Sequence, residues 1–513
     1  MMGLIVSYAP VGIAIGLSVA LFAWLVAKSG PKSVLTHGIS RILDFWLSRR
    51  YFIANAHNSP IPGCPYKFPN GQGDAAKFLH GKENSDSWGK QYGSIFRIWA
   101  GMTPEIVLTR PEHIVTFFKD SNRHIKASSN DSGYFMSQLL GQCLGLVSGK
   151  KWLAVKEATE KPFLRAASTN YVDLIQKHTS RHFKWLWASG SLASGLVDPA
   201  GDFKMLPFFI VAAIIYGPLE PELEQRLRNL APEREKLFHH VLRGGMSRFR
   251  LSRYLPTRAN RELAVFRTKW HKLNQDLYAS AACRSSSTPI IQMSRFVDSG
   301  EVTREQLLQT LDEMLFANLD VTIGGISWNL VFLAANPRVQ EQVRAEVVSR
   351  KQDGTFEAYL LDSGSLLSAC IYESSRLRPL AAFSVPQAAP TERVVGGYLI
   401  PAGTNAVVDA YALNIRNPFW GKDSTEYRPG RFLEHTATEL RYNYWRFGFG
   451  PRQCLGKYVA DIMIRSLVAT LVYDYEVGMD NYGMDGKGSE WGRIEDCWIN
   501  HPSLRLRCDP RRE

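Results

Sequence analysis

Phe447-Gly448-Phe449-Gly450-Pro451-Arg452-Gln453-Cys454-Leu455-Gly456 carries more structural information than any other stretch of the chain. It sets one cysteine in a glycine-rich loop, directly ahead of an apolar-periodic run that reads as a helix. A cysteine at a helix N-terminus faces unpaired backbone N–H groups and the positive end of the macrodipole. Both favour a thiolate over a thiol. Gly450 and Gly456 allow closer backbone approach to the sulfur than a residue with a Cβ. Arg452 offers a fixed cation to an anionic partner nearby. A buried thiolate with donors aimed at it suits a soft metal centre. A lone cysteine beside a glycine is more often a buried structural residue. Here Phe, Gly, Arg, Cys and Gly recur at a fixed spacing, which that ordinary case does not require.

The run resembles the haem-binding loop of the cytochrome P450 superfamily, Phe-x-x-Gly-x-Arg-x-Cys-x-Gly. It matches at Phe447, Gly450, Arg452, Cys454 and Gly456. The resemblance implies a mainly α fold with a minor β region, and haem b as cofactor with Cys454 as the proximal thiolate. It also implies that Arg452 pairs with a haem propionate and that Phe447 packs near the sulfur.

Other motifs agree in kind and in order. Glu373-Ser374-Ser375-Arg376 puts an acid and a base on one helix face. Such pairs are common on surfaces and weak there. This one follows the apolar Ala369-Cys370-Ile371-Tyr372, so the helix is expected to be half buried. Tyr427-Arg428-Pro429-Gly430-Arg431-Phe432 adds an arginine. By resemblance Glu373, Arg376 and Arg431 form a buried network behind the haem loop, with Tyr427 standing where Phe is more usual. Trp152 and Lys156 match a Trp-x-x-x-Arg propionate-binding pair, with Lys in place of Arg.

The oxygen side departs from the pattern. Members usually carry Ala/Gly-Gly-x-Asp/Glu-Thr-Thr midway along a long helix. This chain reads Ala317-Asn318-Leu319-Asp320-Val321-Thr322. Asp320 matches, Asn318 replaces a glycine, and Val321 replaces the first threonine. Thr322 is turned by about 100° from position 321 on an ideal helix. Asp320 and Thr322 are the residues expected to move protons, and Asn318 is expected to widen the helix groove or hold a water. Three outcomes stay open: Asp320 suffices with water, the substrate supplies a hydroxyl, or the chemistry has shifted to peroxide use, rearrangement or dehydration.

The long helix itself begins at Thr303-Arg304-Glu305-Gln306, a capping-box pattern, and should run to about Ala335 before Pro337. Phe208 to Tyr216 reads as a buried helix. Leu223 to Arg243 and Arg258 to Tyr278 read as amphipathic helices, the first broken or kinked at Pro232. Tyr92 to Trp99 alternates like a strand, with Ile106 to Leu108 as its partner.

The 513 residues, 45% apolar, are ample for a large core. Seven scattered cysteines, with no CxxC pair and no Cys/His cluster of zinc spacing, argue against a disulfide scaffold. A net charge of +13 accompanies no nucleic-acid module, so an anionic membrane or an acidic protein partner is expected. Gly3 to Ala27 carries no charge and is long enough to span a bilayer. Lys28, Lys32, Arg41, Arg49 and Arg50 follow it, which keeps the bulk of the chain cytoplasmic. The reading divides the chain into an anchor (1–27), a juxtamembrane segment with the hinge Pro60-Ile61-Pro62-Gly63-Cys64-Pro65 (28–65), and a catalytic domain (66–513). By resemblance it sits on the endoplasmic reticulum membrane, with the segment Leu223 to Tyr278 near the lipid. Distal pocket residues are expected from Ser128 to Leu146, including Phe135, Met136, Leu139 and Leu140. Leu380, Ala381, Ala382, Phe383 and Val385 should add to them, for a lipophilic substrate.

No flavin or nicotinamide motif is visible. Electrons are expected from the NADPH-dependent P450 reductase, with cytochrome b5 as a further donor, docked on a basic face around Lys457. The implied activity is monooxygenation, in the style of filamentous-fungal members of secondary metabolism. A haem-thiolate isomerase, dehydratase or coupling enzyme is the alternative within enzymes. A haem-binding sensor or carrier is the alternative outside them.

Overall fold

The computed structural model describes residues 31–127, 130–480, 491–495 and 497–511. The expected membrane span, Gly3 to Ala27, and Ser128 lie outside the described residues. Among the described residues one helical run, Arg304–Ala335, is long and apolar enough to cross a membrane, but 78% of its apolar window is buried in the protein. It is the central core helix.

That run starts as its sequence dictates. Gln306 N–H donates to Thr303 Oγ1 at 3.2 Å, and Thr303 N–H donates to Gln306 Oε1 at 2.8 Å, closing the capping box. It stops at Asn336, whose extended φ of −128° is the geometry a following proline favours; Pro337 opens the next helix, Pro337–Gln352. The second half, Val321–Ala335, is apolar on every face and buried throughout except at its ends. Each large side chain placed there contributes about 1.5–3 kcal/mol of burial. Around it pack the helices Val172–Ser189, Met205–Tyr216, Leu366–Leu377 and Lys457–Asp474. Pro232 does not break its helix: Pro221–Arg243 is continuous through it. A second amphipathic helix, Arg258–Arg284, packs on it.

Among the described residues ten strands make three small sheets. They are β1 Ile95–Ala100, β2 Thr103–Leu108, β3 Ile125–Lys126, β4 Leu196–Val197, β5 Gln387–Ala388, β6 Arg393–Val395, β7 Tyr398–Ile400, β8 Asn405–Val408, β9 Tyr475–Met479 and β10 Leu506–Pro510. The largest has the order β1-β2-β8-β5-β3, with β2 and β8 parallel. The expected β1–β2 pairing is present, Ile95 facing Leu108. All six β1 residues are buried, however, so this strand is covered on both faces and does not alternate.

The proline-rich stretch is docked. Arg97 N–H donates to Pro62 O and Cys64 N–H to Arg97 O, both at 2.9 Å, which lays the segment along β1. The basic helix Pro31–Arg50 is held through Asp44, which accepts from Tyr66 N–H at 2.7 Å, and through buried Leu47 against Trp99 and Tyr66.

Candidate haem-thiolate site

The glycine-rich loop leads into the helix Lys457–Asp474, with Gly456 as its N-cap. Cys454 N–H donates to Phe447 O at 2.8 Å, closing the loop on itself. Gly450 takes φ +70°, and a Cβ there would lie 2.0 Å from Ser121 Oγ. Its role is thus the turn and the approach of Ser121, whereas around a Cβ on Gly456 nothing lies within 4 Å. The Phe447 ring lies under the Arg446 guanidinium, 4.4 Å from its centroid, and Arg446 pairs with Asp461 at 2.6 Å.

Cys454 is solvent-accessible, yet burial among protein atoms raises its thiol pKa. The Gly456 backbone N–H donates to the sulfur and pulls the other way, but burial outweighs it.

Behind the loop the predicted charge network is assembled. Arg376 meets Glu373 twice, Nε to Oε2 at 2.7 Å and Nη2 to Oε1 at 2.9 Å. Arg431 Nε donates to Glu373 Oε1 at 2.9 Å. The three side chains are at most 1% exposed. Further donors go to main-chain carbonyls, Arg376 to Asn414 and Ser424 and Arg431 to Trp420 and Asp423, and Arg431 also pairs with the Asp423 carboxylate at 3.4 Å. Asn414 links the network to the loop, since its side chain both accepts from Trp445 N–H at 2.7 Å and donates to Trp445 O at 2.8 Å. Trp445 is two residues before Phe447. Tyr427 stacks on Phe332, with centroids 4.7 Å apart, so it still fills the aromatic place.

On the other side of the loop Arg452 lies 4.7 Å from the Trp152 ring and donates to Val147 O at 2.6 Å. Trp152 is buried in the helix Gly149–Thr159. Lys156 lies 5.3 Å from the same ring and pairs with Glu160 at 3.2 Å. Two residues not singled out in the sequence join them. Burial and the neighbouring Arg452 push Lys126 down to about 7. Glu313, on the long helix, accepts from Gly145 N–H at 3.0 Å and partly offsets both cations. Burial lowers Arg452 to about 10. No motif marks Lys126 or Glu313; only the fold brings them here.

Lys126 and Arg452, both half-buried, share one carboxylate and are short of negative charge. The two propionates of a haem would restore it, and an iron facing Cys454 would use the sulfur. The open space over Gly456 leaves room for a flat group. The residues present therefore fit haem.

The oxygen side is distorted where its sequence departs from the family pattern, though by tightening and not by the widening expected of Asn318. The long helix tightens to a 3₁₀ turn at Ala317–Leu319, a feature that marks hinges. Asn318 Nδ2 donates to Met314 O at 2.6 Å, and Thr322 Oγ1 donates to Asn318 Oδ1 at 2.7 Å. Thr322 is thus engaged with Asn318, and Asp320 faces the C-terminal segment: Trp498 Nε1–H donates to Asp320 Oδ2 at 2.6 Å. A Cβ on Gly324 would meet Ile499, Leu380 and His501 within 3.1 Å, so glycine is what lets those segments close on the helix. Of the expected pocket residues, Leu380 is beside the helix. Phe135, Met136, Leu139 and Leu140 are buried in the main core, and Val385 is 41% exposed.

The chain matches the family model described as Cytochrome P450 over residues 76–490. It is 54% identical over 468 residues to the cytochrome P450 monooxygenase aclC of Aspergillus oryzae, covering 91% of this chain and 96% of that protein. It is 48% identical over 477 residues to the monooxygenase asaD of Aspergillus flavus, covering 93% and 92%. A third relative, the monooxygenase gliC of Aspergillus fumigatus, is 38% identical over 506 residues, 96% of this chain and 98% of its own length. In fold the chain is similar to a zebrafish cytochrome P450 solved with progesterone, at TM-score 0.65 and 17% identity, covering 83% of this chain and 98% of that one. The fold and site are those of a haem-thiolate monooxygenase. The chain belongs to the cytochrome P450 family, whose haem iron is held by a cysteine thiolate.

Proposed function

We propose that this enzyme oxidises a lipophilic small molecule of fungal secondary metabolism with Cys454 as its axial ligand. The observation that carries the reading is the Cys454 loop, closed by the Cys454 N–H bond to Phe447 O and braced by the Glu373–Arg376–Arg431 network. Haem iron bound to a thiolate supplies the centre at which dioxygen is reduced and one oxygen atom passes to an organic substrate. This chain's residues do the rest. Cys454 contributes the anionic ligand. Arg452 and Lys126, with Trp152 and Lys156 beside them, hold the propionate edge. Asp320 supplies protons on the oxygen side, with Thr322 and Asn318 shaping the tightened turn in place of the usual threonine. The buried wall around the long helix excludes water. That the relatives are named monooxygenases supports this reading over the isomerase and carrier alternatives.

Electrons come from an NADPH-dependent P450 reductase at the endoplasmic reticulum membrane, with cytochrome b5 as a further donor and the basic surface near Lys457 as the docking face. The N-terminal apolar segment anchors the chain. Attraction between opposite charges is screened by salt. Reduction by the reductase should therefore slow several-fold between low and 0.5 M ionic strength. A rate indifferent to salt removes the charged docking face. The reading as a whole is tested by the reduced CO-difference spectrum of the holoenzyme and of Cys454→Ala. The thiolate signature should be present in the first and absent in the second. With reductase, NADPH and candidate substrates, the holoenzyme should form an oxygenated product. A signature surviving in Cys454→Ala overturns the ligand assignment.

A further inference from the structure

Asp320 does not stand alone beside the kink. Its carboxylate, Cys497 Sγ and His501 Nδ1 all lie within 4.8 Å of one another. We propose that Asp320, Cys497 and His501 bind one zinc-class divalent cation, which clamps the C-terminal segment onto the long helix. This site shares no ligand with the Cys454 loop and does not depend on the haem reading.

The geometry supplies the support a metal site needs. His501 Nε2 lies 2.7 Å from the carbonyl of Asp320. A carbonyl only accepts, so Nε2 carries the hydrogen and Nδ1 keeps its lone pair for a cation. A ligating histidine is typically held in this way, its second nitrogen donating to a carbonyl or carboxylate. Asp320 Oδ2 is engaged by Trp498 Nε1–H at 2.6 Å, which orients the carboxylate and leaves Oδ1 as the ligand atom. Cys497 Sγ is 4.0 Å from His501 Nδ1. Tetrahedral zinc with bonds of about 2.3 Å to sulfur and 2.0–2.1 Å to nitrogen needs about 3.6 Å. The Cys497–His501 pair is thus within about half an ångström of closure, and the Asp320 carboxylate lies within 4.8 Å of both.

The segment bearing them is fixed. Trp328 Nε1–H donates to Asn500 O at 2.7 Å, and Asn500 N–H donates to Leu380 O at 3.0 Å. Trp498 is walled by Phe78 and Phe238, with ring centroids 6.4 and 5.0 Å away. One nitrogen, one sulfur and one oxygen ligand suit zinc better than calcium or magnesium, which take oxygen. A thiolate and a carboxylate also neutralise a divalent charge, so the buried site closes electrically. On binding, the Cys497 thiol proton leaves to solvent. A fourth position stays open. Spacing within the sequence gives no hint of the site, because its third ligand comes from the long helix.

One consequence reaches the oxygen side. The cation occupies the carboxylate of Asp320, so zinc should inhibit turnover. Full-length holoenzyme kept under a phosphine reductant is loaded with zinc chloride, freed of excess and measured by elemental analysis and zinc-edge X-ray absorption. The expected result is one zinc per chain at micromolar free metal, with one sulfur neighbour near 2.3 Å. Cys497→Ser and His501→Ala should each weaken retention at least tenfold. Absence of zinc at 100 µM, or zinc with no sulfur neighbour, overturns the proposal without recourse to any variant. Undiminished zinc in the double variant overturns it too.

Discussion

At the scale of single residues, the charges behind the loop set the strongest expectation. Glu373 is the acid shared by both arginines, all three are sealed from water, and the other arginine donors end on carbonyls or, for Arg431, also on the Asp423 carboxylate at 3.4 Å. Removing one partner of a buried pair strands the other, at about 3–5 kcal/mol. Glu373→Ala and Arg376→Ala should therefore fail to accumulate as holoenzyme, because Asn414 passes the disturbance directly to Trp445 and the Cys454 loop. Purified variants with a full haem complement would sink this expectation. Lys126 offers a milder test. If it faces a propionate, Lys126→Met should lose haem about tenfold faster, the equivalent of ~1.5 kcal/mol for a charge-assisted contact. Transfer of haem to an apo-globin acceptor reads this out. Glu373, Arg376 and Arg431 were legible through the family resemblance, since an i, i+3 acid–base pair alone is common and Arg431 lies 58 residues from Glu373. Lys126 and Glu313 were not, because a lysine in a polar loop and a glutamate on a helix look ordinary until the fold buries them side by side.

At the scale of elements, the long helix is the part whose sequence and geometry explain each other most fully. Its start was readable from Thr303 and Gln306, and its end from Pro337. The substitution of Asn318 for glycine was readable as a disturbance, though not its form. The amide of Asn318 reaches back to Met314 O and accepts from Thr322, which a helical turn permits at four-residue spacing. The destination of Asp320 was not readable at all, since Trp498 and His501 come from the far end of the chain. A differential result follows. Asp320→Asn keeps the shape and the acceptor for Trp498 but removes the acid. It should lower product formation on the order of 10²-fold, the usual scale for one proton-transfer group. Thr322→Val removes a hydroxyl already committed to Asn318 and should cost only a few-fold. Product formed per NADPH consumed, measured at equal haem, separates the two. Equal losses would mean that Thr322 delivers the proton.

At the scale of the whole molecule, a buried charge cluster ties parts of the chain that no local pattern connects. Lys77 bonds Glu105 of β2 at 3.0 and 3.1 Å, and lies 3.7 Å from Asp74. Arg248, from the link between the two amphipathic helices, sits 3.7 Å from Asp74 and donates to the carbonyl of Asp131. Asn405 of β8 donates to the Asp131 carboxyl at 2.7 Å. Three acids face two cations, so the cluster balances only if one acid keeps its proton. Asp131 is that acid: burial first, then the adjacent Glu105, raise it to about 8. The consequence for stability has a definite sign. Below about pH 4 the carboxyl is protonated whether the chain is folded or unfolded, and contributes nothing. Between about 4 and 8 the unfolded chain releases the proton while the folded one retains it, so stability falls as pH rises. Above 8 the loss is complete. Asp131→Asn keeps a donor for Glu105 and removes the titration. It should stabilise the protein at pH 8 on the order of 1–3 kcal/mol, discounted because the side chain is partly exposed. The gain should fade toward pH 4. Thermal melts of the two holoenzymes across pH 5–9 give the difference curve. A gain that is independent of pH, or one that grows as pH falls, would show that another acid of the cluster carries the proton.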